Sequence, residues 1–232
     1  MFRSGVCNAV WVASTGLVIF DCDGVLVDSE PLLMRVEMAM IRDLGWQITV
    51  DDVYAEHLGR SWPEVQSNIE RHIGRPVPSD FHAKSVEVKN ELFRAELEPV
   101  VGILDAYEDL AAMHFATCVA SSGAHERIRF VLGVTELLAT FDGRIFSAED
   151  VANGKPEPDL FLHAARSMGF KPSSCVVVED SPAGVAAACS AGMPVVGYAA
   201  QTPRALLADA DLIIDDMNQL PEAVASLRAS AT

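Results

Sequence analysis

The chain is short of basic residues, lacks any apolar run long enough to span a membrane, and contains no paired cysteine motif. Lys and Arg together number 17 against 33 Asp and Glu, a formal net charge of −16 over 232 residues. Phosphate backbones are held by clustered cations, so this balance argues against a nucleic acid partner. A membrane helix needs roughly 18 consecutive apolar residues. No stretch approaches that, so no membrane association is expected. The five cysteines, Cys7, Cys22, Cys118, Cys175 and Cys189, are odd in number and include no C-x-x-C pair. That removes the usual zinc spacings and a disulfide framework, and it reads as reduced thiols in a cytoplasmic setting.

What is present is ample apolar material, 50% of the residues. The opening MFRSGVCNAVWVASTG, residues 1–16, has only a short apolar patch, broken by Asn8. A signal peptide needs a longer uninterrupted core, so these residues read as an extension before the first strand. From Ser29 to about Leu97, apolar residues recur at helical spacing in PLLMRVEMAMIRDLGW, WPEVQSNIERHIG and FHAKSVEVKNELFRAEL, with no strand between them. The expectation is an all-helical insertion over residues 29–98. Residues 17–28 and 99–232 alternate apolar strands (LVIFD, FATCVASS, a short strand near Arg144–Phe146, CVVVED, PVVGY, LIID) with helices. Strands apolar throughout and alternating with helices predict a parallel α/β sheet covered on both faces. In such sheets ligands bind beyond the carboxyl ends of the strands.

Those ends are rich in chemistry. Asp21 and Asp23 follow the first strand, Ser121 and Ser122 the second, and Glu179 and Asp180 the fourth. Lys155 lies in the loop NGKPEP before a helix. Carboxylates gathered at one edge repel unless a cation joins them, and an all-oxygen set suits Mg²⁺. Each piece alone has an ordinary reading. Asp23-Gly24 is a common turn pair, and Ser121 and Ser181-Pro182 suit helix starts. Together, carboxylates, a lysine, a hydroxyl and a hard cation form a phosphoryl-transfer set.

FDCDGV, the Ser121 after its strand, Lys155 in GKPEP, and VVVEDSPAG resemble, in order, the four motifs of the haloacid dehalogenase superfamily, over about Leu17 to Arg228. The insertion is similar to the small helical cap of the β-phosphoglucomutase, phosphoglycolate phosphatase and sugar phosphatase subfamily. The resemblance implies a Rossmann-like core with an inserted cap. It also implies Asp21 as the nucleophile that becomes an aspartyl-phosphate, and Asp23 as acid and base. Asp21, the Asp23 carbonyl, Asp180 and Glu179, the last directly or through water, would hold Mg²⁺. Ser121, Ser122 and Lys155 would hold the phosphate. Arg60, in the cap loop Gly59-Arg60-Ser61, is the candidate for the non-reacting end of the substrate.

The partner expected is therefore a small-molecule phosphate ester, handled by a monomer. The reaction expected is hydrolysis of a sugar phosphate or phosphorylated sugar acid. The alternative is a β-phosphoglucomutase-type mutase, which two departures weaken. The early cap EPLLMRVEMAM lacks a histidine, and Trp62 stands where the mutase loop carries arginine. Asp23 argues against dehalogenation, which has no alcohol to protonate.

Overall fold

The computed structural model describes residues 15–57 and 62–230. β1 (Gly16–Phe20) is buried along its whole length. It lies between β2 (Phe115–Ser121) and β4 (Cys175–Glu179), parallel to both. β3 (Ile145–Ser147), β5 (Val195–Tyr198) and β6 (Leu212–Ile214) complete a six-stranded parallel sheet in the order β3-β2-β1-β4-β5-β6. All six strands read from the sequence are present. The order reverses between β1 and β4, which makes that edge the expected ligand position.

Alternate strand residues choose opposite helical layers. Leu17, Ile19, Cys118, Ala120, Cys175 and Val177 share one apolar cluster with α8 (Asp159–Ser167) and α9 (Pro182–Ser190). On the other face, α5 (Ile103–Ala112) packs on β2, and α10 (Leu220–Ser230) packs on β4, β5 and α5. Phe161 of α8 is fully buried in the first cluster; truncating such a side chain to alanine costs about 3–5 kcal/mol.

The inserted residues form α1 (Glu30–Asp43), α2 (Val50–Glu56), α3 (Trp62–Ile73) and α4 (Phe81–Glu96). They have an apolar core of their own, with Met38, Ile41, Ile48, Val53, Val65 and Ile69 at its centre and Met34 and Met40 packed against it. α2 was not legible from periodicity, being only seven residues long. Its signal is a capping box: Thr49 Oγ1 accepts from Asp52 N at 3.2 Å and Thr49 N donates to Asp52 Oδ2 at 2.8 Å.

By its internal contacts the chain divides into two compact units. The first comprises Met1–Asp21, Val101–His125 and Phe141–Thr232, and the second Cys22–Val100 and Glu126–Thr140. The sequence reading gave residues 126–140 to the α/β core. The second unit instead takes most of α6 (His125–Val134) and α7 (Leu138–Phe141). Cation–ring contacts join α6 to α4: the Arg127 guanidinium is 5.6 Å from the Phe93 ring centre and the Arg94 guanidinium 5.1 Å from that of Phe130. Among the described residues no helix is long and apolar enough to cross a membrane.

Candidate active site

In the first unit, Asp21 directly follows β1 and its N–H donates to Val178 O at 3.0 Å, which continues the β1–β4 ladder. That register sets Asp21 beside Glu179, with Asp180 one residue further. Lys155 comes from the loop before α8, where the Lys155–Pro156 peptide is cis. Its ammonium donates to Asp21 Oδ1, to Glu179 Oε1 at 2.5 Å and to Ala120 O at 3.0 Å. All three ammonium protons are therefore engaged. The side chains of Lys155 and Glu179 are only 4% and 1% exposed, so this is a buried charge cluster. Burial disfavours the ammonium, but Asp21 and Glu179 outweigh it and hold Lys155 charged well above the usual lysine range. Asp21 in turn keeps a cation against it.

Glu179 was expected among the metal ligands, directly or through water. Its Oε2 accepts from Ser181 N at 3.0 Å and Ser181 Oγ at 2.9 Å, while Oε1 takes the lysine. Both oxygens are thus held by protein donors. Ser181 also caps α9, accepting from Gly184 N at 3.0 Å. Asp180 lies between these two anchored residues and is half-buried.

Ser121 closes β2 and is buried, its Oγ accepting from Gly123 N at 3.2 Å. Ser147, at the end of the neighbouring β3, donates its hydroxyl to Gly123 O at 2.6 Å and braces the same loop. Ser122 is exposed between them. His125, beside this motif, pairs with Asp150 through Nε2 at 2.9 Å.

In the second unit, residues 22–27 form a tight loop in which Gly24 has φ 75°, a left-handed conformation that glycine adopts without strain. Gly24 N donates to Val27 O at 2.9 Å and Leu26 N to Cys22 O at 2.9 Å. The Asp23 carboxylate projecting from this loop is held from two sides. Ser29 Oγ donates to Oδ1 at 2.6 Å. Arg127 donates NH2 to Oδ1 at 3.0 Å and NH1 to Oδ2 at 3.1 Å. Arg127 was not among the candidate residues. It is 104 positions away in sequence, and nothing local marks it. His57, read as structural or exposed, is buried and bonded through Nδ1 to Glu37 Oε1 at 2.5 Å. Arg60 lies outside the described residues.

For a cation, the candidate donors within the first unit are the carboxylates of Asp21 and Asp180. Among the described residues no three His, Cys, Asp or Glu side chains are grouped to hold a metal ion. Carboxylate oxygens suit a hard cation such as Mg²⁺, which takes one or two carboxylates and fills its remaining positions with water and phosphate oxygens.

The sequence model of the haloacid dehalogenase-like hydrolases matches residues 15–192. Escherichia coli 6-phosphogluconate phosphatase is 32% identical over 185 residues, 79% of this chain and 82% of that protein. A conserved haloacid dehalogenase-like protein of unknown function from Agrobacterium tumefaciens superposes with a TM-score of 0.81 at 32% identity, covering 91% of this chain and 98% of that one. A HAD family hydrolase from Deinococcus radiodurans, solved with bound phosphate and sodium, gives 0.80 at 26% identity over 93% and 97% of the two chains. A parallel sheet that gathers Asp21, Lys155 and Glu179 at its carboxyl edge, with this match over most of the sequence, places the chain in the haloacid dehalogenase-like hydrolase family.

Proposed function

We propose that the chain is a Mg²⁺-dependent phosphatase of small phosphorylated metabolites, a sugar phosphate or phosphorylated sugar acid, acting through an aspartyl-phosphate on Asp21. The observation that carries this reading is the Lys155 ammonium fixed against Asp21 at the carboxyl end of β1. A carboxylate held charged in a buried site is equipped as a nucleophile and has little use as a surface anion. The names of its relatives support the substrate class: 6-phosphogluconate is a phosphorylated sugar acid.

In the first step, an Asp21 oxygen bonds to phosphorus while the ester P–O bond breaks and Asp23 gives a proton to the departing alcohol. In the second, a water oxygen bonds to phosphorus, its proton passes to Asp23, and the Asp21–phosphorus bond breaks. Ser121 and Ser122 hold phosphate oxygens, and the Lys155 charge offsets theirs. Mg²⁺ bound by Asp21, Asp180 and the Asp23 carbonyl would neutralise charge on the transferring phosphoryl group. Glu179, with both oxygens on protein donors, serves chiefly to hold Lys155 and would contribute to cation binding through water. Residues 29–98 are assigned the part of a substrate-selecting cap domain, and Arg60 remains the candidate for the non-reacting end of the substrate.

The test is phosphate release from sugar phosphates, phosphorylated sugar acids and phosphoglycolate, with and without Mg²⁺, with Asp21→Asn as control. Conversion of glucose 1-phosphate to glucose 6-phosphate is followed alongside. Metal-dependent release that vanishes in the variant supports a hydrolase. Isomerisation without net release would replace it with a mutase.

A further inference from the structure

The Asp23 carboxylate has four lone-pair sites, and its contacts use them unevenly. Oδ1 takes two donors, the Ser29 hydroxyl at 2.6 Å and Arg127 NH2 at 3.0 Å. Oδ2 takes one, Arg127 NH1 at 3.1 Å. Two parallel bonds from one planar guanidinium fix the plane of the carboxylate. The hydroxyl then fixes which oxygen is saturated. Arg127 is itself held in place, its guanidinium over the Phe93 ring at 5.6 Å.

The pair is partly exposed, with side chains 34% and 24% accessible, so water and salt screen its contribution to stability.

Resting on the phosphatase reading above, we propose that Arg127 is a positioning residue for Asp23. With Ser29, it orients the carboxyl group so that Oδ2 is the oxygen that gives the proton to the leaving alcohol and takes it back from water. A general acid works only within hydrogen-bond reach of the atom it serves, and a carboxyl that swings about its side-chain torsions spends most of its time elsewhere.

The consequence is a loss that depends on the leaving group. Arg127→Gln removes the fork and the charge; Arg127→Lys keeps the charge but donates from a single point. Both are assayed on the best sugar phosphate and on 4-nitrophenyl phosphate, whose phenolate departs without a proton. On the sugar phosphate, kcat falls on the order of 10- to 100-fold with KM little changed, Lys falling less than Gln. On 4-nitrophenyl phosphate, the first step survives while water activation slows, so rapid mixing shows a burst of one nitrophenolate per enzyme before slow turnover. Thermal midpoints stay close to that of the unaltered enzyme. Equal losses on both substrates without a burst, or an unchanged kcat on the sugar phosphate, would overturn the role of Arg127 and leave the phosphatase intact. Failure of the unaltered enzyme to release phosphate from either ester would overturn both.

Discussion

The carboxylate of Glu179 lies directly under the Cα of Gly184, so close that a methyl group at that position would overlap it. The glycine is in the first turn of α9, whose Ser181 cap also holds Glu179. A carboxylate packed this way is fixed by shape as well as by hydrogen bonds. Gly184→Ala is expected to destabilise the chain by about 1–3 kcal/mol, the usual effect of overpacking. It should also lower activity, because a displaced Glu179 no longer anchors Lys155. Chemical denaturation and phosphate release measured together check this; wild-type stability would show that the helix yields without strain.

Lys155 stands between two carboxylates that are 11% and 1% exposed at the side chain. Lys155→Met keeps the bulk and removes the cation, leaving Asp21 and Glu179 without their counter-charge. Breaking a buried pair in this way costs about 3–5 kcal/mol. Urea melts of parent and variant give the result, and a variant that melts like the parent would show that the two carboxylates do not need the cation. Phosphate release should be abolished.

The sheet and its edge were legible because each rests on a local signal. Apolar strands such as CVVVE announce a parallel sheet, and the carboxylates at their ends are chemically costly unless used. Lys155 was legible only through its motif, since a lone lysine carries no period. Ser29 and Arg127 were not assigned to Asp23, because their link to it is tertiary, and in the case of Arg127 it crosses 104 positions. α2 went unread because seven residues are too few for a helical period to emerge, although its Thr49–Asp52 box was in the sequence. The role of Glu179 also depended on the fold: only the arrangement of Lys155 and Ser181 around it shows that its oxygens are taken.

Glu30, the first residue of α1, holds its proton more tightly than an ordinary glutamate. Burial is the main cause and Asp23 the next, with Glu37 adding to them and Arg127 and Lys89 opposing. Because the folded state binds this proton more tightly than the unfolded chain does, stability falls as pH rises from about 4.5 through the raised value, then levels. Glu30→Gln removes that decline. The variant should gain on the parent across this interval and keep a constant advantage above it. Thermal midpoints from pH 4 to 8, in chelator to remove any bound cation, provide the comparison. A constant difference at every pH would show that Glu30 titrates normally.

Asp180 separates two explanations of a carboxylate after β4. As a cap for α9 it is redundant, because Ser181 already accepts from Gly184 N at 3.0 Å. As a cation ligand it is one of only two carboxylates in the candidate set, so its loss removes a large share of the protein's hold on Mg²⁺. Asp180→Ala should therefore raise the Mg²⁺ concentration for half-maximal phosphate release roughly tenfold or more. The same shift should appear without substrate. A ligand that binds only the folded state raises the thermal midpoint with the logarithm of its concentration over Kd, so the variant should need correspondingly more Mg²⁺ for the same rise. An unchanged titration by both measurements, in a variant that melts like the parent, would remove Asp180 from the cation site and leave Asp21 and the Asp23 carbonyl as its proposed protein donors.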